Sequence, residues 1–170
     1  MQERKHNVTM PEEDLKRIAE QEAVLTFDTF DLTTGWQLGK LLQELGAERS
    51  LGIAIDITLH SMPVFYAVLP GVTPDNVQWV RRKRNLVLRY FRSSYSIGLD
   101  LKQKGKTVAD NGLSDVDYAP HGGSFPINVK GTGCIGAVTV SGLPQRDDHN
   151  LVVEALALML AKDLDALRLA

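Results

Sequence analysis

Residues 52–69 constrain the fold more than any other segment of the chain. In residues 52–59, large apolar side chains alternate with small or polar ones; the apolar positions are Ile53, Ile55, Ile57 and Leu59. A period of two predicts a strand with one buried face. Residues 60–63 have the composition of a turn, and residues 64–69 are again apolar. Two strands joined by so short a turn pair antiparallel, so this segment predicts a β-hairpin.

A second hairpin is predicted near the end of the chain. Residues 126–130 and 134–141 are rich in strand-forming residues, and a glycine-containing turn separates them. This turn also contains the spacing G-x-G-x-x-G, from Gly131 to Gly136. Dinucleotide-binding proteins need a helix directly after such glycines, whereas residues 137–140 have the composition of a strand. We therefore interpret the glycines as part of a tight turn.

Two helices are predicted before the first hairpin. Residues 10–14 place a proline and acidic side chains where a helix N-terminus favours them. Residues 24–30 then predict a short edge strand. Thr33 and Thr34 are predicted to cap a second helix, which Gly46 is predicted to end.

Two further helices are predicted later in the chain. Thr73 and the proline after it predict the start of one long helix that continues to about Lys104. The last helix is predicted to begin near Arg146. It is apolar over much more than one face, which fits either a helix crossing the core or one that contacts a second subunit.

The strands occur as hairpins and do not alternate with helices, which predicts an α+β fold. We expect an antiparallel sheet of about five strands with helices packed on it. The chain has 170 residues, of which 44% are hydrophobic and 24% charged. These values are typical of a single globular domain, here spanning residues 1–170.

Charge and cysteine content limit the expected partners and compartment. The net charge of −2 gives no reason to expect nucleic acid as a partner, and the absence of an apolar run of about 20 residues gives none to expect a membrane. Cys134 is the only cysteine, so an internal disulfide is excluded. Residues 1–6 are polar and are not followed by a signal segment. We therefore expect a cytoplasmic protein.

The most recognisable pattern lies in residues 121–127 and 133–142. It consists of His-Gly-Gly-Ser-Phe-Pro-Ile, followed by a glycine-bearing strand that ends in Ser-Gly before a helix rich in alanine and leucine. This pattern resembles the haem-degrading HbpS/GlcG-like family. Residues 79–84, Trp-Val-Arg-Arg-Lys-Arg, look like the branch of that superfamily called uncharacterised protein family 0303. The resemblance covers most of the chain from about residue 52 and is sharpest over residues 118–158.

The resemblance carries expectations about architecture and ligands. It implies a profilin-like or PAS-like layered sheet, a small pocket and homo-oligomers. Some relatives bind haem or act in haem breakdown, whereas others have no firm activity. No catalytic residue is carried over to this chain.

The densest charge in the sequence is Arg81-Arg82-Lys83-Arg84. Helical geometry places Lys83 and Arg84 on the apolar side of their helix and the other two farther round. A buried cation must meet a carboxylate, a backbone carbonyl or a ligand anion. Asp56 is one candidate internal partner. The alternatives are therefore an internal ion pair and an anion-binding pocket.

His121-Gly122-Gly123-Ser124 is the best candidate for chemistry. Two glycines allow backbone N–H groups to approach a small anion, Ser124 offers a hydroxyl, and His121 can act as acid, base or metal ligand. The alternative is a turn in which the histidine caps a strand end. If His121 bound haem iron, an apolar slot would surround it, to which Met62, Met159 and Phe125 could contribute. His60 and His149 are interpreted as surface residues, and His6 as part of a mobile terminus.

The sequence thus predicts a homo-oligomeric small-molecule-binding protein. The expected ligand is a small anion, and the residues expected to hold it are Arg82, Lys83, His121, Gly122, Gly123, Ser124 and Phe125. The alternative function is noncovalent haem binding or degradation, with His121 on the iron. A third alternative is an assembly module that uses the apolar last helix.

Overall fold

The computed structural model describes residues 10–170 of the chain; His6 and the rest of the polar N-terminal segment lie outside them. The helices are α1 (Met10–Val24), α2 (Leu32–Glu48), α3 (Pro74–Tyr90), α4 (Ser94–Gln103), α5 (Gln145–Met159) and α6 (Leu164–Leu167), with a 3₁₀ turn at Val108–Asn111. The strands are β1 (Thr26–Phe27), β2 (Ala54–Leu59), β3 (Met62–Val68), β4 (Ser124–Val129) and β5 (Gly133–Ser141).

The five strands form one sheet in the order β1-β4-β5-β2-β3. Both predicted hairpins, β2 with β3 and β4 with β5, are confirmed as antiparallel pairs. The α+β prediction of about five strands is also confirmed, but the sheet is mixed, because β1 runs parallel to β4. The edge strand expected over residues 24–30 is only two residues long. Val24 still belongs to α1, and α2 already begins at Leu32.

The two faces of the sheet differ sharply in polarity. One face carries the alternating isoleucines of β2 and packs against α2 and α5, forming the main apolar core. The other face, which α3 covers, presents polar side chains that are nonetheless buried: Asp56, Thr58, Ser124 and Thr139. The period of two in β2 therefore separates an apolar layer from a buried polar layer, and this polar layer needs partners from α3.

The single long helix predicted from Thr73 to Lys104 is wrong. Thr73 does cap α3, but Phe91 takes a left-handed conformation with φ of 56° and ends that helix. Ser93 then caps α4 by accepting a hydrogen bond from the Ser96 N–H at 3.2 Å. The Oγ of Ser94 accepts the N–H of Ser124 at 3.1 Å, which ties the start of α4 to β4. Serines that bond to nearby backbone favour a helix start over a helix interior.

Two predicted details of α2 are also wrong. Its N-cap is Asp31, whose carboxylate accepts the N–H of Thr34 at 2.8 Å. Gly46 does not end the helix, which continues to Glu48. A Cβ on Gly46 would lie 2.9 Å or less from side-chain atoms of Ile53 and Leu69, so this glycine allows close helix–sheet packing.

Most apolar residues of helix α5 are buried against other parts of the same chain. All its residues from 151 to 157 are buried, and they contact β4, β5 and α2. Of the two alternatives for this helix, the structure shows the one that crosses the core. Within residues 10–170, no helix combines the length and apolar character needed to cross a bilayer.

Helix α1 is joined to the C-terminal part of the chain by polar contacts. Asp14 accepts two hydrogen bonds from the Arg146 guanidinium, at 2.5 and 3.0 Å. Gln21 is fully buried; its amide N–H donates to the Leu167 carbonyl at 2.7 Å, and its Oε1 lies 2.8 Å from Nε2 of His149. These contacts fix α1 against α5 and α6.

Candidate ligand-binding cleft

A buried ion pair joins α3 to the start of α5. The Nζ of Lys83 lies 2.9 Å from Oδ2 of Asp148 and 3.3 Å from the Val140 carbonyl oxygen, and both side chains are almost wholly buried. The second carboxylate oxygen of Asp148 accepts the N–H of Leu143 at 3.0 Å. Burial lowers the pKa of Lys83 and raises that of Asp148, while each opposes the shift of the other.

Asp56 was correctly interpreted as an internal partner of the basic run, and its partner is Arg84. The two groups lie 3.1 Å apart, and the Thr58 hydroxyl donates to both oxygens of the same carboxylate. Lys83 instead meets Asp148. Of the two alternatives for the basic run, the internal ion pair is thus present, and Lys83 and Arg84 each have their own carboxylate.

Lys83 and Asp148 border a cleft between the start of α3 and the start of α5. Its volume is about 220 Å³, and its lining residues are Asn76, Trp79, Lys83, His121, Ser141, Gly142, Leu143, Gln145 and Asp148. The side chain of His121 is exposed, whereas Lys83 and Asp148 are buried. The cleft therefore unites Lys83 and His121, although they are far apart in sequence.

Trp79 links Arg82 to His121 at this cleft. The Arg82 guanidinium carbon lies 4.6 Å from the centre of the indole, and the His121 ring packs edge-on at 5.1 Å. Partial burial and the charges of Lys83 and Arg82 lower the pKa of His121, so its imidazole is neutral at pH 7. Sequence reasoning missed Trp79 as a site residue. Its position four residues before Lys83, one helical turn away, is the signal that could have found it.

Gly122 and Gly123 permit close packing around the ion pair. A Cβ on Gly122 would lie 2.1 Å from the Gln145 carbonyl oxygen; one on Gly123, where φ is +128°, would lie 2.3 Å from the Val140 oxygen and 2.9 Å from Lys83 Nζ. The Gly122 N–H donates to the Gln145 side chain at 3.2 Å. The double glycine thus lets its loop approach both Lys83 and α5.

A family model described as "Haem degrading protein HbpS-like" matches residues 30–157, which include every residue that lines the cleft. The chain belongs to this HbpS-like family. A UPF0303 protein from Rhizobium johnstonii is 84% identical over 94% of this chain and 98% of its own length. A UPF0303 protein from Paraburkholderia phymatum is 55% identical over 92% of this chain and 96% of its own length.

Solved structures share the fold of this HbpS-like chain. The crystal structure of Ybr137w protein has a TM-score of 0.79 and 28% identity, covering 86% of this chain and 87% of its own. HbpS has a TM-score of 0.62 and 16% identity over 77% of this chain and 89% of its own. The PduOC:heme complex has a TM-score of 0.61 and 17% identity over 71% and 88%, respectively.

Of the predicted ligand-binding residues of the HbpS-like chain, Lys83 and His121 line the cleft, whereas Arg82, Gly122, Gly123, Ser124 and Phe125 do not. The Ser124 hydroxyl lies 2.8 Å from that of Thr139 in the buried polar layer. Phe125 is fully buried in the apolar core on the opposite face of the sheet. Met62 lies in a separate groove beside Trp36. The apolar slot imagined around His121 is therefore not built from Phe125 and Met62.

A second cleft, of about 330 Å³, lies on the other side of His121. Its lining residues include His121 and Gln145, which also line the first cleft. These two exposed side chains form the wall that the two clefts share. Within residues 10–170, no three His, Cys, Asp or Glu side chains converge to hold a metal ion.

The interpretation of His149 as a surface residue is wrong. Its ring is 1% exposed and lies 5.3 Å from the ring of Tyr95 and 5.9 Å from that of Phe125. Burial lowers its pKa to about 3, and its Nδ1 has no hydrogen-bond partner among the described residues. Its helical spacing to Val152 and Leu156, at i+3 and i+7, could have placed it on the buried stripe. His60 is exposed, as expected.

Proposed function

We propose that this HbpS-like protein binds a small organic anion in the cleft beside Trp79, Lys83 and His121. The observation that carries this proposal is the charge balance of the cleft. Asp148 is its one carboxylate among the described residues, and Lys83 already neutralises it. The nearby Arg82 guanidinium then leaves a net positive potential, which adds to the larger effect of burial in lowering the pKa of His121. The field that disfavours an imidazolium favours an anion.

Arg82 is the residue we assign to the ligand's charge. Its Nε donates to the Asp115 carbonyl at 2.8 Å, and its guanidinium rests on the Trp79 indole. A guanidinium held in this way offers its remaining N–H groups in a fixed plane, which suits a carboxylate. Gln145, the first residue of α5, adds a side-chain amide and the positive end of the helix dipole.

The size of the cleft limits the ligand. A volume of about 220 Å³ is below the roughly 300–1,000 Å³ of pockets that hold drug-sized molecules. We therefore propose a ligand of a few carbon atoms. Lys83 and His121 lie beside it, while Gly122, Gly123, Ser124 and Phe125 shape the loop and strand that support the cleft.

Self-association in the cytosol is part of the same proposal. Strand β3 is at the edge of the sheet, has no charged residue, and exposes Met62, Tyr66 and Val68. Uncharged apolar edge strands are prone to pair with another chain, so we expect β3 to contact a second copy of this protein. Light scattering should detect a species larger than one chain, and Tyr66→Lys should shift it towards the monomer. A wild-type monomer at all concentrations would remove this part of the proposal.

Tryptophan fluorescence tests ligand binding, because the chain has only Trp36 and Trp79. In a Trp36→Phe background, pyruvate, malonate and inorganic phosphate are titrated at low salt. We expect a saturable change for at least one anion and a loss of affinity of about tenfold in Arg82→Gln, the scale of one charge-assisted hydrogen bond. Arg89→Gln, on the exposed end of α3, is the matched control. Equal affinities in the two arginine variants, or no binding, would refute the proposal.

Noncovalent haem binding is the second candidate function. The observations in its favour are the HbpS-like family and the position of His121, a neutral imidazole bordered by two clefts. The first cleft alone is too small to enclose a tetrapyrrole. His121 is the residue that would bind the haem iron, through its imidazole. Haemin titration should then give a stoichiometric Soret band in the wild type that His121→Ala abolishes. Weak and unsaturable spectra in both proteins would reject this candidate.

A further inference from the structure

We propose that Lys83 forms a covalent imine with a small anion that carries a carbonyl group, such as an α-keto acid. This inference rests on the proposed function, because noncovalent binding must first bring the carbonyl carbon to the amine. It adds a chemical class of ligand and a reaction to the cleft.

The position of Lys83 is the first support. Its side chain comes from α3, is 3% exposed, and still lines the cleft. A small molecule in the cleft can therefore reach a nitrogen that bulk water does not surround. Burial also lowers the pKa of this amine, which increases the unprotonated fraction that can attack a carbonyl.

The packing around the amine is the second support. Gly123 faces Lys83 Nζ, and a Cβ there would stand 2.9 Å from the nitrogen and 3.0 Å from Cβ of Asp148. The glycine therefore lets its loop pack directly against the amine and closes that side. A carbonyl carbon can approach Nζ only from the cleft, whose wall includes both Lys83 and Asp148.

Asp148 supplies the proton transfers that imine formation requires. Its Oδ2 lies 2.9 Å from Nζ, and Leu143 N–H holds its other oxygen. The ammonium gives a proton to Asp148, the nitrogen lone pair attacks the carbonyl carbon, and Asp148 protonates the oxygen. The nitrogen then returns a proton to Asp148, which delivers it to the hydroxyl as this group leaves as water.

The product conserves charge within the buried site. The protonated imine carries the single positive charge that the ammonium carried, so Asp148 keeps a cation beside it. Within the proposed function, the carboxylate of the same ligand is placed towards Arg82. A simple ketone or aldehyde lacks this second contact and should react more weakly than an α-keto acid.

Reductive trapping tests the inference. The wild-type protein is incubated with pyruvate and sodium cyanoborohydride, and the modified lysines are mapped by mass spectrometry. Lys40, whose side chain is 64% exposed, is the internal control for ordinary surface reactivity. We expect Lys83 to be labelled at least about tenfold faster than Lys40, because binding in the cleft holds the carbonyl group beside Nζ. Lys83→Arg should lose this label, whereas Lys40→Arg should keep it.

The outcomes separate this inference from the proposed function. If pyruvate changes the Trp79 fluorescence but Lys83 is labelled no faster than Lys40, the imine is refuted and anion binding remains. If pyruvate and the other anions neither bind nor label Lys83, both fail. Because the site is mapped on the wild-type chain, the result does not depend on the folding of Lys83→Arg.

Discussion

The Lys83–Asp148 pair gives a prediction whose size and pH dependence follow from the structure. Lys83→Met leaves a buried carboxyl without its cation, and Asp148→Asn leaves a buried amine without its anion. In each variant the remaining group can become neutral to avoid an unpaired buried charge. The cost of that neutralisation sets an upper limit on the loss of unfolding free energy.

The magnitudes follow from the ordinary pKa values. Each pKa unit is worth about 1.4 kcal/mol, so protonating a carboxyl of ordinary pKa 3.8 at pH 7 costs about 4 kcal/mol. Deprotonating an amine of ordinary pKa 10.5 costs about 5 kcal/mol. Both limits agree with the roughly 3–5 kcal/mol lost when one partner of a buried pair is removed. The double variant buries no charge, so its loss should be smaller than the sum by about 3 kcal/mol.

The two single variants should respond to pH in opposite directions. The lone Asp148 has a folded pKa above its unfolded value of 3.8, so its penalty appears as pH rises above 3.8 and fades below it. The lone Lys83 has a folded pKa below its unfolded value of 10.5, so its penalty fades as pH rises towards 10.5. Urea unfolding followed by circular dichroism at pH 5, 7 and 9 measures both trends.

Removal of the exposed Lys40–Glu44 pair, 3.6 Å apart, is the control, with an expected loss below about 0.5 kcal/mol. Additive losses for Lys83→Met and Asp148→Asn in the double variant would refute the coupling. Parallel pH trends would refute the assignment of the penalty to a neutralised buried group.

Three further predictions concern other parts of the fold. His149 has an unfolded pKa of 6.5 and a folded pKa of about 3, so protonation favours unfolding; between pH 6.5 and 3 the wild type should lose about 4–5 kcal/mol more than His149→Gln in urea titrations. Gly98→Ala places a Cβ 2.1 Å from the Pro120 carbonyl oxygen and should cost about 2–3 kcal/mol, seen as a lower Tm; an unchanged Tm would contradict the packing. Phe91→Gly relieves a left-handed φ of 56° at an exposed position and should stabilise by about 0.5–1 kcal/mol, whereas a loss would show that the phenyl ring contributes.

The hairpins could be predicted from the sequence because their signals are local. Alternation in residues 52–59 and the glycine-rich turn before Cys134 determine the strands without reference to the rest of the chain. The division of residues 73–104 into α3 and α4 has a weaker local signal. The break occurs at Phe91, which no propensity rule marks, and only the serines after it indicate a new helix.

The candidate site was predictable only in part. Helical periodicity predicts that a cation of the basic run is buried. Its need for a carboxylate follows from the cost of burying an unpaired charge. The choice of Asp148 over Asp56 for Lys83 does not follow, because it depends on where the start of α5 lies relative to α3. The sequence suggests that Gly122 and Gly123 expose N–H groups to an anion, whereas the structure shows that a Cβ at either position would clash with neighbouring atoms. This packing role could not be predicted, because it depends on where Lys83 and α5 lie in space.

The contacts of α1 have a consequence for the order in which the chain folds. Asp14 and Gln21 bond to Arg146, His149 and Leu167, partners more than 120 positions later in the sequence. An isolated helix of 15 residues is marginal in water, and closing so long a loop costs entropy before the contact compensates for it. The first helix of the described chain should therefore be among the last to become protected from amide hydrogen exchange during refolding.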